Sequence, residues 1–246
     1  MSGTVKQDVM DRARGILASA RAVAVLTGSG ISAESGIPTF RGAGGLWRTF
    51  RPEDLATSEA FERDPALVWE WYDWRRGLVA AARPNPAHQA LARLESRCDT
   101  FTLVTQNVDG LHAAAGSRNL ILLHGDLWTV RCTSCGLERE DRRVPLPELP
   151  PRCSCGGRLR PGVVWFGESL PEGAIERAAA AVAAAQALLL IGTSAAVWPA
   201  AGLGEVAIEA LVPVIEINPE PTVYSDRVIS LAGRAGEVLP SLLAAR

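Results

Sequence analysis

The chain has 246 residues, a formal net charge of −2 and 48% apolar residues, which suits one large globular domain or a domain with a smaller lobe. So small a net charge gives no electrostatic case for nucleic acid or an anionic membrane as partner. The opening MSGTVKQDVMDRARG lacks the apolar core of a secretory signal, and the longest apolar run, AAAAVAAAQALLLIG, is broken by Gln186, so a soluble, cytoplasmic chain is expected.

In chain order, the first strong element is AVAVLTG from Ala22, a buried-strand run ending in Thr27-Gly28-Ser29-Gly30. The glycines in TGSGISAESGIPTFRG suit a backbone that approaches a phosphate at a helix N-terminus. Gly28, Gly30 and Ala33 meet the looser dinucleotide fingerprint, with alanine at its third small position. Gly36-Ile37-Pro38 is expected to break the following helix early. Residues 46–83 then read as helical and aromatic-rich. Within them EWYDWRRGL (Glu70 to Leu78) sets Arg75 and Arg76 among Trp71, Tyr72 and Trp74. That placement needs a reason, because a core accepts rings far more readily than guanidinium groups.

PNPAHQALARLESR has a helical pattern. FTLVTQN from Phe101 reads as the second strand and ends in Gln106-Asn107-Val108-Asp109; LILLHG from Leu120 reads as the third and ends in His124-Gly125. Four of the five cysteines follow, at Cys132, Cys135, Cys153 and Cys155. Paired thiolates from two turns fit a closed tetrahedral zinc site with a structural role, although Cys153-Ser154-Cys155 is one residue tighter than the usual knuckle. A segment this short and proline-rich gains from a metal staple. Cys98 stands apart and reads as a small packed side chain. EGAIERAAAAVAAAQ is helical again, ALLLIGTS from Ala187 ends in Gly192-Thr193-Ser194, VPVIEIN from Val212 ends in Asn218-Pro219-Glu220, and SLLAAR closes the last helix.

Five strands alternating with helices imply the α/β class, a parallel sheet with helices on both faces. Every strand ends in glycine or polar residues, and in open parallel sheets the ligand crevice lies at those ends. His124 at one such end, with Asn107 and Asp109 at a neighbouring one, is placed to be a general base. Residues 46–83 and 129–161 interrupt the alternation. They are expected as a helical insertion and a zinc-binding insertion that pack together, the main domain being 1–45, 84–128 and 162–246.

The chain resembles the sirtuins, NAD-dependent protein-lysine deacylases. TGSGISAESGIPTFRG resembles the family's G-A-G-I-S…G-I-P-x-F-R loop, TQNVDGLH its T-Q-N-x-D-x-L-H segment, and LHG at Leu123 to Gly125 its histidine motif. VVWFGE, GTS and INPEPT match three further blocks in order, over about residues 10–245. The resemblance implies a Rossmann-like domain with the two insertions as a small lobe, working as a monomer. It places acyl-lysine protein substrates in the cleft between the lobes, and no nucleic acid. Gly28, Ser29, Gly30, Glu34, Phe40 and Arg41 are then expected at the NAD site, with Gln106, Asn107 and Asp109 around the nicotinamide ribose and amide. Gly192, Thr193, Ser194, Asn218, Glu220 and Ala235 are expected toward the phosphates and adenosine. His124 is the implied base, with Asn107 beside it, and Val164, Trp165 and Phe166 supply an edge for the peptide. NAD is consumed, and nicotinamide and O-acyl-ADP-ribose are released. Ser29 stands where the family commonly has alanine, and Gly162 where it has a larger polar residue.

Tyr72 and Arg75 are three apart and share one helical face. They fit the Tyr-x-x-Arg pair of the sirtuin branch that prefers acidic acyl groups, whose succinyl, malonyl or glutaryl carboxylate suits a guanidinium fork. Arg76 projects about 100° further round a helix. In the alternative, Tyr72 is core, Arg75 is a snorkelling cation, and the chain is a plain deacetylase. Two other classes compete. A nicotinamide-dependent oxidoreductase requires an acidic residue after a second strand, but no strand precedes Glu53 and Asp54. A zinc-ribbon nucleic-acid binder draws on the arginines of 129–161 against an acidic total charge.

Overall fold

The computed structural model describes residues 2–42, 44–222 and 227–244. Nine strands are described: β1 (Ala22–Thr27), β2 (Thr100–Thr105), β3 (Leu120–Leu122), β4 (Gly125–Cys132), β5 (Glu138–Glu140), β6 (Leu159–Val163), β7 (Ala187–Ile191), β8 (Val214–Asn218) and β9 (Val228–Ala232). The helices are α1 (Ser2–Ser19), α2 (Pro52–Leu55), α3 (Ser58–Arg63), α4 (Pro65–Ala81), α5 (Pro86–Glu95), α6 (Leu111–Ala114), α7 (Ala174–Ala183), α8 (Gly202–Glu209) and α9 (Ala235–Leu243). No helix among the described residues is long and apolar enough to cross a membrane.

Six strands form one parallel sheet in the order β3-β2-β1-β7-β8-β9, so the chain order reverses between β1 and β7. Side chains alternate across it as the pleat requires. Val23, Val25, Leu189 and Ile191 pack under α1, α5 and α9, while Ala24, Leu26, Leu188 and Leu190 pack under α7 and α8. Both faces are covered, which is why these strands read as continuous apolar runs. The five expected strands are present. The sixth, β9, is an edge strand whose alternate residues are buried, with Ser230 in its middle, so it lacks the continuous run that marked the others.

The two insertions share a core of their own. β5, β4 and β6 make a three-stranded antiparallel sheet, and α2 to α4 pack on it through Val68, Trp69, Trp71 and Tyr72 against Leu127, Trp128, Val130 and Leu159. The Trp69 indole N–H donates to the Leu159 carbonyl at 2.8 Å. The expected boundaries at 128/129 and 161/162 fall inside β4 and β6. Gly162 is explained by this sheet: a Cβ there would lie 2.7 Å from Cγ2 of Thr129 and 2.9 Å from its carbonyl oxygen. The position is set by packing within the small lobe.

Arg76 ties α4 to this sheet. It is fully buried, its guanidinium lies 5.2 Å over the Trp128 ring, and it donates to the carbonyls of Leu127, Asp141 and Arg143. The Asp141 carboxylate stands 3.8 Å away. Arg76 is thus a buried, bonded cation, and its loss would leave those three carbonyls without their donor in the same core. Several other arginines of this region are paired as well, Arg131 with Glu138, Arg142 with Glu140, Arg143 with Asp141 and Arg160 with Glu168.

Candidate active site

The cleft begins where β1 and β7 part. The Gly28 N–H donates to the Ile191 carbonyl at 3.0 Å, and the Gly30 N–H to the Gly192 carbonyl at 2.9 Å. A Cβ on Gly28 would lie 2.7 Å from the Gly192 oxygen, and one on Gly30 would lie 2.7 Å from its Cα. These glycines therefore let two strand-end loops dock on each other at the topological switch point, a closer contact than the phosphate approach the sequence suggested. The next segment is a 3-10 helix, Ser29–Ser35, stopped by Gly36 at φ 86°, so the early break occurs as expected. Beyond it the chain folds over the cleft, where Ser29 Oγ accepts the Phe40 N–H at 3.4 Å.

The resulting cleft holds about 1200 Å³. Of the expected NAD set, Gly28, Ser29, Gly30, Phe40 and Arg41 line one side, and Gln106, Asn107 and His124 line its floor. Gly192, Thr193, Ser194, Asn218 and Glu220 close the far end. Glu34 and Ala235 lie elsewhere, in an adjoining cavity of about 280 Å³ beside Arg234. There the Glu34 carboxylate accepts the Gly236 N–H at 2.6 Å, capping the first turn of α9. Asp109 is also off the main cleft wall. Its carboxylate turns inward, accepting the Ser32 hydroxyl at 2.7 Å and the Leu111 N–H at 2.9 Å, and burial raises its pKa.

His124 Nδ1 lies 3.0 Å from the Gln106 carbonyl oxygen. A carbonyl only accepts, so Nδ1 carries the proton and Nε2 keeps its lone pair. Burial lowers the pKa of this imidazole, with the Gln106 carbonyl opposing, so it is neutral at physiological pH. Asn107 donates through Nδ2 to the Gly28 carbonyl at 3.1 Å, locking the β2 end to the glycine loop.

Behind Asn107 lies a polar layer that sequence reading missed. Ser32 touches Asp109, Asn107 and His88, and Thr27 Oγ1 touches His112 Nε2 at 3.0 Å. The two buried imidazoles sit 4.8 Å apart, held neutral by burial with pKa values of about 4 for His88 and about 3 for His112. The one local signal was the capping box at the start of α5, where Asn85 and His88 bond reciprocally.

The small lobe forms the other wall with Trp71, Tyr72, Arg75, Val164, Trp165 and Phe166. The N–H groups of Val164, Trp165 and Phe166 are bonded inside the chain, to His124, Glu168 and Ala56. An incoming strand would meet carbonyl oxygens here. Arg75 is only 7% exposed and lies 4.8 Å over the Phe40 ring and 4.9 Å over that of Trp71. No carboxylate among the described residues pairs with it. Tyr72 beside it accepts the Trp165 indole N–H at 2.9 Å, and the buried Trp71 indole N–H has no partner among the described residues. Around Arg75 the wall thus offers the cleft donors more than acceptors.

The four expected cysteines converge at the tip of the small lobe, with all Sγ atoms within 4.8 Å of one another. Cys132 Sγ accepts the N–H groups of Ser134 and Cys135 at 3.4 and 3.5 Å, and Cys155 Sγ that of Gly157 at 3.4 Å. Such bonds favour thiolate, and four thiolates at this spacing fit structural zinc with no open position. Protein purified without chelators is expected to carry one zinc per chain by elemental analysis. Cys132→Ser is expected to lower Tm and to weaken activity only through the loosened lobe. Stoichiometrically metal-free protein with an unchanged Tm would contradict this.

A family model described as the Sir2 family matches residues 28–199. The chain is 58% identical over 201 residues to an NAD-dependent protein deacylase of Aquifex aeolicus, covering 81% of this chain and 84% of that protein. It is 51% identical over 234 residues to NAD-dependent protein deacylase 2 of Pyrobaculum aerophilum, covering 93% and 92%. A crystal structure of a Sir2 homologue with NAD superposes with a TM-score of 0.87 at 47% identity, covering 95% of this chain and 92% of that one. The docked glycine loops, the neutral cleft histidine and the four-thiol cluster thus stand in a chain that belongs to the Sir2 family.

Proposed function

We propose that this NAD-dependent protein deacylase removes short acidic acyl groups, succinyl, malonyl or glutaryl, as well as acetyl, from protein lysines. The observation that carries this is Arg75, a guanidinium almost wholly buried on the cleft wall against aromatic faces, with no carboxylate of the described residues at ion-pair distance. Burial lowers its pKa, with Asp109 opposing from beyond ion-pair distance, yet arginine stays charged, so the site holds a cation without a direct carboxylate partner. A substrate carboxylate would complete it through two parallel hydrogen bonds, strengthened by the dry aromatic surround.

The remaining roles are those that the family resemblance implies, and the lining of the cleft supports them. NAD lies along the glycine loops under Phe40 and Arg41, its nicotinamide ribose at Gln106 and Asn107 and its adenosine end toward Asn218, Glu220, Glu34 and Ala235. The acyl oxygen attacks the ribose carbon that bears nicotinamide, and nicotinamide leaves. His124 Nε2 then takes the proton of a ribose hydroxyl as that oxygen attacks the imidate carbon, and water releases free lysine and O-acyl-ADP-ribose. The lobe core keeps water from the reacting carbon until the acyl group is seated.

Matched peptides carrying acetyl-, succinyl-, malonyl- and glutaryl-lysine test the reading. At least one acidic acyl group should be removed with a kcat/KM equal to or above that for acetyl. If acetyl is preferred by a wide margin over all three, Tyr72 and Arg75 revert to support of α4 and the chain is a deacetylase.

A further inference from the structure

A tyrosine hydroxyl can turn about its C–O bond, so its presence in a pocket does not by itself fix where its proton goes. Here something fixes it. Tyr72 is 2% exposed, and its oxygen accepts the Trp165 indole N–H at 2.9 Å across 93 residues of sequence. An indole N–H only donates. The Tyr72 proton is therefore turned away from Trp165, and it meets no acceptor among the described residues. Burial raises the pKa of this phenol, with Arg75 opposing, which keeps the proton on at neutral pH.

Trp165 is itself held from three sides. The Arg160 guanidinium lies 3.5 Å over its ring, and Phe61 packs at 5.4 Å. Arg160 forks onto Glu168, and Glu168 accepts the Trp165 backbone N–H at 2.8 Å and the Ser58 hydroxyl at 2.9 Å. The indole cannot rotate without breaking that set.

We infer that Trp165 is a positioning residue for acyl selectivity, its indole N–H fixing the Tyr72 hydroxyl as a donor to the substrate's acyl carboxylate. This rests on the acidic-acyl reading given above. An acetyl group presents no carboxylate there, so the indole N–H is irrelevant to it. Trp165 acts through Tyr72 and need not touch the acyl tail.

The test is a double-mutant cycle: kcat and KM on succinyl- and acetyl-lysine peptides for the wild type, Tyr72→Phe, Trp165→Phe and the double variant. Each single change should lower the succinyl-to-acetyl ratio of kcat/KM roughly tenfold, mostly through the succinyl KM. The double variant should be no worse than Tyr72→Phe. Should Trp165→Phe fail to fold, β-(3-benzothienyl)alanine at position 165 keeps the bicyclic shape, lacks the N–H and should give the same result. Additive losses in the double variant, or equal losses on both peptides, would overturn the role of Trp165. A selective loss in Tyr72→Phe with none in Trp165→Phe sinks this inference alone. No selective loss in Tyr72→Phe takes the acidic-acyl reading down with it.

Discussion

His124→Ala is expected to lower kcat/KM for deacylation by about 10²- to 10⁴-fold, the usual range for loss of a general base, with Tm and NAD affinity nearly unchanged. The side chain makes one bond, from Nδ1 to the Gln106 carbonyl, so its removal costs the fold little. What is lost is Nε2, the free lone pair on the cleft floor. Only the neutral imidazole can take a proton, so kcat/KM should rise with pH through the His124 pKa and then level off. Burial holds that pKa below its ordinary value of 6.5, which puts the rising limb on the acid side of neutrality. Near-wild-type turnover in the variant, or a limb centred above 6.5, would remove this assignment. The profile needs a folding control. His88 and His112 are buried neutral with pKa values of about 4 and about 3, so the unfolded chain takes up protons first as pH falls. Their contribution to stability is present above about pH 6.5 and is lost below it, a change circular dichroism will follow.

The second large effect is a change of selectivity. Arg75→Met should cripple removal of succinyl and leave deacetylation close to wild type. With arginine present, the succinyl carboxylate is paired as it leaves water. With methionine it is desolvated alone, at a cost on the order of 2–5 kcal/mol, or roughly 30- to several-thousand-fold in kcat/KM. Stacking of the guanidinium on Phe40 and Trp71 is lost too, worth about 0.5–2 kcal/mol, but methionine refills much of that volume and the loss falls on both substrates alike. The differential term therefore decides the outcome. Arg76 is no neutral control, since its removal would leave the carbonyls of Leu127, Asp141 and Arg143 without their buried donor; Glu70→Gln, exposed on the same helix, serves instead. Parallel falls on the acetyl and succinyl peptides would return Arg75 to a supporting role.

Much of the site was legible because its signals are local. A strand buried on both faces must be apolar throughout, so β1, β2, β7 and β8 announced themselves, and the polar residues that ended each run marked the crevice. Cysteines at fixed spacing need only two turns to meet, so the zinc set required no knowledge of the fold. His124 was visible as a polar residue closing an apolar strand. β9 stayed hidden because an edge strand buries only alternate residues, and β5 because three exposed residues carry no period.

What only the tertiary structure decided are the partnerships across long stretches of chain. Gly28 and Gly30 are glycine because another loop, 162 and more residues on, packs against their Cα atoms. Arg75 and Arg76 are the same residue type side by side, and no local pattern separates them. One faces the cleft and the other is bolted to β4 because α4 docks on the second sheet in a single rotation, about 100° per residue. Asp109 turns inward to Ser32, and the Tyr72 oxygen accepts the Trp165 indole N–H from the far side of the zinc module in sequence. The sequence by itself determined which elements form and which groups can do chemistry, because propensity and periodicity act within a few turns. Which donors were left without acceptors was decided only when distant segments closed on one another and used up the rest.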